Sequence, residues 1–82
     1  MADVRTRLIR CFAATFPDVA EAEIPRASIA SLDAWDSLTS ITLMTVIEQE
    51  FEIQIPDEEL EQFLSFELIL DYLEREARRH AS

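Results

Sequence analysis

Apolar residues return at every fourth position from Val4 to Phe16, as Val4, Leu8, Phe12 and Phe16, with Ile9 and Cys11 beside them. That spacing lays one apolar stripe along a helix. The first helix is therefore expected over 3–16, ended by Pro17. Cys11 borders the stripe and reads as a small buried hydrophobe rather than a reactive thiol. Residues 17–36 keep neither the helical nor the strand period, being broken by Pro17, Pro25, Ser28, Ser31 and Asp33. This is a long loop. A compact domain rarely leaves about twenty residues unattached, so Val19, Ile24, Ile29 and Leu32 are expected to anchor it to the helices.

The second helix is expected over 37–50, opened by Asp36 or Ser37, whose side chains accept hydrogen bonds from the free N–H groups of a helix start. At roughly 100 degrees per residue, Leu43, Met44, Ile47 and Phe51 share one arc and form its core face. Thr39, Thr42, Thr45 and Gln49 lie opposite, with Leu38 and Val46 among them, so the outward face is nearly uncharged. Phe51 to Ile55 alternates like a strand, but no second alternating run exists to pair with it, which leaves an extended connector. Pro56 and Asp57 open a short helix over 57–63, and Ser65 caps a last one over 66–79. In the latter Phe66, Ile69, Leu70, Leu73 and Ala77 hold the helical period, while Arg75, Arg78, Arg79 and His80 sit at the end that favours positive charge. The pattern predicts one all-α domain over 1–82, an antiparallel bundle of three main helices plus one short helix.

Composition narrows the function classes. The 82 residues contain no glycine, although average usage of about 7% would supply several. Phosphate-cradling loops, dinucleotide fingerprints, nucleophile elbows and EF-hand loops all need glycine where the backbone bends sharply or meets a ligand. One cysteine and one histidine make neither an internal disulfide nor a Cys/His zinc cage, so no metal site is expected. The formal net charge is -10. Such a surface repels nucleic acid and anionic membranes and is suited to basic protein surfaces. The N-terminal stretch lacks the apolar segment of a secretory signal, and no run is long enough to span a bilayer. A cytoplasmic monomer is expected.

Conventional catalysis is hard to assemble from this inventory, since the one imidazole, His80, is the third residue from the end of the sequence. Clustered carboxylates such as Glu58, Glu59 and Glu61 read as a solvated face. The unusual local feature is Asp36-Ser37-Leu38, a serine at a helix start, preceded by an acid and followed by an exposed apolar residue. Two readings stand. Ser37 is a helix cap, or its hydroxyl is the site of a covalent phosphate ester, whose charge the positive helix end would hold without a glycine loop.

From about Trp35 to Leu73 the chain resembles the acyl carrier protein family. The resemblance is carried by Asp36-Ser37-Leu38, then Glu48-Gln49-Glu50-Phe51, then Ile53-Gln54-Ile55-Pro56-Asp57-Glu58-Glu59-Leu60, and finally Asp71-Tyr72-Leu73, at family spacing and with no gap. It implies that Ser37 is the attachment point of 4′-phosphopantetheine, transferred from coenzyme A by a phosphopantetheinyl transferase, with Asp36 recognised during that transfer. It implies a carrier, not an enzyme, which holds acyl intermediates as thioesters and delivers them to acyl-loading and acyl-using enzymes through basic docking patches. Leu38, Ile41 and Thr45, with Glu48 at the lower edge, are the expected partner surface, and Ile41 lies between packing and docking. Between Glu48 and Glu61 stand seven acids and no base, a field suited to fast, salt-sensitive encounter.

The chain departs from the family in three places. Thr39-Ser40-Ile41-Thr42 replaces the acids common in the first turns of the second helix, Trp35 replaces a small or polar residue, and the glycine usual before the motif is absent. Trp35 is read as a ring folded down onto the core, against the alternative of a wall for the arm. These departures point to a dedicated carrier in a lipid, polyketide or other specialised biosynthetic pathway. Two rivals stand beside it: an aminoacyl or peptidyl carrier of nonribosomal synthesis, and an unmodified helical protein-interaction module.

Overall fold

The computed structural model describes residues 3–81, with side chains through Arg79. The expectation for the His80 side chain therefore lies outside the described residues. Helix α1 spans Val4–Thr15, α2 spans Ser37–Phe51 and α3 spans Phe66–Ala81. Each start is capped by the side chain just before it. The Asp3 carboxylate accepts from the Thr6 N–H at 2.8 Å, Asp36 accepts from the Thr39 N–H at 2.9 Å, and the Ser65 hydroxyl accepts from the Leu68 N–H at 3.3 Å. α1 stops just before Pro17, with the Phe16 N–H closing back on the Phe12 carbonyl at 2.7 Å.

Two 3-10 helices complete the chain, Glu21–Arg26 and Asp57–Gln62. The second occupies the expected short helix over 57–63. The first corrects the reading of 17–36 as loop throughout. It is six residues long, has no capping side chain, contains Pro25 and buries only Ile24, so it has too few core positions to produce a periodic signal. Ser28 and Ser65 form an isolated antiparallel bridge, with the Ile29 N–H donating to Leu64 O and the Phe66 N–H to Ala27 O, both at 2.9 Å. These bonds fasten the long connection to the start of α3.

Helix direction is fixed by which ends meet. Arg7, near the start of α1, pairs with Glu50 at 2.8 Å and lies 4.4 Å over the Phe51 ring at the end of α2, whereas Phe16 at the end of α1 meets Trp35 just before α2. α2 therefore runs against α1. Phe12 meets Phe66 at the start of α3, while Val4 shares a cleft with Leu73 and Ala77 further along it, so α3 also runs against α1. The core is a single cluster built on Leu8, Phe12, Trp35, Leu43, Ile47, Phe66 and Ile69. Three expectations about individual side chains change. Ile29 and Ala77 are exposed rather than anchored, and Val46 is half-buried against the core rather than outward. Cys11 is buried, and burial first, then the Glu50 charge, push its thiol up to about 11.

In a chain without glycine, the end of α2 has to be turned by another residue. Glu52 takes the left-handed conformation, φ 55 and ψ 47, and its N–H and that of Ile53 both donate to the Glu48 carbonyl. A side chain there costs roughly 1 kcal/mol. Glu52→Gly should remove that cost and raise the unfolding free energy by about 0.5–1 kcal/mol, read by urea denaturation. A lower midpoint would show that the carboxylate contributes more than the backbone strain removes.

Candidate functional site

The first turn of α2 is shaped by two neighbouring side chains with opposite fates. Trp35 is 2% exposed. Its ring packs 5.4 Å from Phe12 and 5.9 Å from Phe16, and its indole N–H donates to the Ser40 hydroxyl at 2.7 Å. The ring is thus folded down onto the core, and the backbone immediately after it is forced outward. Asp36 and Ser37 are exposed. Asp36 is the cap and Ser37 the first helical residue, which resolves the choice between them. The hydrogen bonds from Thr39, its backbone N–H first and its side chain second, hold the Asp36 carboxyl below its ordinary 3.8.

Since capping falls to Asp36, the Ser37 hydroxyl is left without a hydrogen bond among the described residues. It stands at the positive end of a 15-residue helix, where first-turn N–H groups favour an anion. A groove of about 450 Å³ opens beside it, with Ile29, Trp35, Ile41 and Leu60 as apolar lining and Asp36 and Ser40 at the rim. An exposed, unengaged hydroxyl at such a place can be esterified and can keep a phosphate in position without a dedicated loop.

The other expected site residues separate along α2. Leu38 is 77% exposed and lies outside the lining of that groove, and Ile41, 56% exposed, belongs to the surface rather than the core. Thr45 is exposed, but its hydroxyl donates back to Ile41 O at 3.0 Å, as that of Thr42 does to Leu38 O at 3.3 Å. Glu48 has an internal partner, accepting the Ile55 N–H at 2.8 Å and so pinning the connector after α2. Ile41, Met44, Ile55 and Leu60, together with Thr45, Glu48 and Asp57, line a second furrow of about 410 Å³ that continues the first. A larger depression, about 650 Å³, lies around Glu48 and Pro56, roughly 16 Å along the helix from Ser37 by its rise per residue. Ile29, Ser40 and Leu60 were not among the residues expected at the site. Leu60 could be found only by knowing that the second 3-10 helix lies along α2, and Ser40 only by knowing how the Trp35 ring turns.

Comparison with known proteins gives the class. The family described as "Phosphopantetheine attachment site" matches residues 7–73, which include every element just described around Ser37. The chain belongs to that family of carrier domains, and its covalent cofactor is 4′-phosphopantetheine. Among individual proteins, it is similar to an acyl carrier protein of Thermosynechococcus vestitus, with 40% identity over 53 residues, 65% of this chain and 65% of that relative. The matched stretch is thus slightly less than two thirds of the relative's length.

Two outcomes test the geometry. Ser40→Ala leaves the buried indole N–H of Trp35 without a partner, at a cost of about 1–3 kcal/mol, which urea unfolding monitored by the emission of this single tryptophan would measure. Undiminished stability would mean that the N–H finds another acceptor. The pH dependence comes from Asp36, whose folded-state pKa lies below the unfolded value. Its stabilisation is fully present above that unfolded value and is lost as pH falls through the lowered folded one. Asp36→Asn should flatten this part of the acid limb of the melting temperature against pH, and an unchanged limb would contradict it.

Proposed function

We propose that this chain is an acyl carrier protein that bears 4′-phosphopantetheine on Ser37 and delivers acyl intermediates to partner enzymes of a lipid, polyketide or other specialised biosynthetic pathway. The observation that carries the reading is the unengaged Ser37 hydroxyl, exposed at the start of α2 beside an apolar groove. In the transfer the Ser37 oxygen bonds to the phosphorus that carries the pantetheine half of coenzyme A. The bond from that phosphorus to the adenosine bisphosphate half breaks, and the hydroxyl proton passes to a base of the transferase. Asp36, fixed by its capping bond, presents a carboxylate next to the acceptor for the transferase to recognise. When bound, the cofactor supplies a terminal thiol that holds cargo as a thioester.

Ser37 and the α2 dipole hold the phosphate, and the groove walls Ile29, Ile41 and Leu60 provide apolar contact for the pantetheine arm beyond it. The continuing furrow combines Ile41, Met44, Ile55 and Leu60 with Thr45, Glu48 and Asp57, and its apolar part offers contact to the hydrocarbon of an acyl cargo. Leu43 and Ile47 beneath are fully buried, whereas the furrow is open at the surface, so a short chain would lie along the furrow. Leu38, Ile41 and Thr45 form the partner surface, with Glu48 at its edge. A cytoplasmic location is part of this proposal. Among the described residues no helix is long and apolar enough to cross a membrane.

Incubation with coenzyme A and a broad-specificity transferase should add the mass of one phosphopantetheinyl group to the protein and none to Ser37→Ala. An unchanged mass with several active transferases would leave only an unmodified interaction module.

A further inference from the structure

Five large apolar side chains are exposed among the described residues: Ile29, Leu38, Ile41, Leu64 and Leu68. Leu38 and Ile41 are on α2. The other three belong to the region where the long connection is fastened to the start of α3. The Ile29 N–H donates to Leu64 O at 2.9 Å. Leu68 hangs by its N–H from the Ser65 hydroxyl, and Ser65 is the residue bridged to Ser28. Ile29 also lines the groove that Ser37 and Ile41 share. The groove thus has Ile41 of α2 and Ile29 of the long connection in its lining, and Leu64 is bonded through its backbone to Ile29. Leu64 and Leu68 remain 48% and 49% exposed, although the Ile29 N–H bonds the backbone of the first and the Ser65 hydroxyl that of the second.

Charge selects the occupant. From Ala27 to Glu74 the chain has twelve acids and no base, while all seven arginines lie outside that stretch. A second copy would bring the same negative field to the same face. An enzyme that draws on coenzyme A, a polyanion, must carry cations around the mouth through which it reaches its acceptor. A standard interface covers roughly 800 Å² of each partner, so an enzyme that reaches Ser37 also meets surface beyond α2.

We propose that Ile29, Leu64 and Leu68 form a second docking flank for the phosphopantetheinyl transferase, so that this enzyme straddles Ser37 instead of reading α2 alone. The inference rests on Ser37 being the acceptor. The flank adds apolar contact to an encounter that the acids steer, and it acts on binding of the carrier rather than on the transfer step.

The test is steady-state modification of the whole chain by a broad-specificity phosphopantetheinyl transferase with coenzyme A, read by intact mass. The variants are Leu64→Ser/Leu68→Ser and the apolar-conserving Leu64→Met/Leu68→Met. Both pairs are exposed, and circular dichroism checks that each variant folds. The serine pair should raise KM for the carrier about five- to tenfold with kcat unchanged, and the methionine pair should restore it. KM within twofold of wild type for the serine pair, or a fall confined to kcat, overturns the second flank while leaving Ser37 as acceptor. Sedimentation that shows a wild-type dimer abolished by the serine pair also overturns it, by making the patch a self-association surface. No mass gain in the wild type removes the acceptor and this proposal together.

Discussion

The packing of Trp35 against Phe12 and Phe16 links the core of this small protein to its surface chemistry. Three aromatic rings contributed by α1 and by the residue before Asp36 meet at centroid distances of 5.4–5.9 Å, and the indole N–H is claimed by Ser40 one turn into α2. The connection from Phe16 to Trp35 is thereby closed at both ends on the same helix. Because the tryptophan is drawn inward, the next two residues are turned out in register: Asp36 caps and Ser37 is presented. Large aromatics bury enough area to fix such a point in a domain with little core to spare.

Attraction and contact are divided over different parts of the surface. The first three turns of α2 carry hydroxyls and aliphatic groups, and Thr42 and Thr45 spend their hydroxyls on carbonyls of their own helix, leaving methyl groups to face a partner. The negative charge lies around this neutral strip, in the connector, the second 3-10 helix and α3. Long-range field and short-range fit can then vary separately, since charge sets the encounter rate and apolar complementarity sets the lifetime. On the proposed function, shape close to Ser37 would select the partner and the acids further away would bring it in.

The three main helices were legible because each has both a sustained apolar period and a capping side chain before it, Asp3, Asp36 and Ser65. Burial of Trp35 was readable from its size. What escaped were features made by residues distant in sequence. The 3-10 helix at Glu21–Arg26 has one buried side chain and no period to detect. Glu48 read as a surface acid, yet the left-handed turn at Glu52 brings the chain back so that the Ile55 N–H meets its carboxylate. The groove beside Ser37 needs Ile29 and Leu60, which reach α2 only once the bundle is folded. The Asp36-Ser37 cap was recognisable as a pair, but which of the two accepts the bond, and so which hydroxyl remains free, depends on backbone geometry.

The single cysteine has a bearing on cargo integrity. A thioester is cleaved by any thiolate that reaches it, with the acyl group passing to the attacking sulfur. Cys11 is enclosed between the helices, and its proton is held so tightly at neutral pH that almost no anionic sulfur exists. On the proposed function, the arm would move over a body whose one cysteine does not compete for the thioester. The same silence would leave the arm's own sulfur as the reactive thiol of the carrier so proposed.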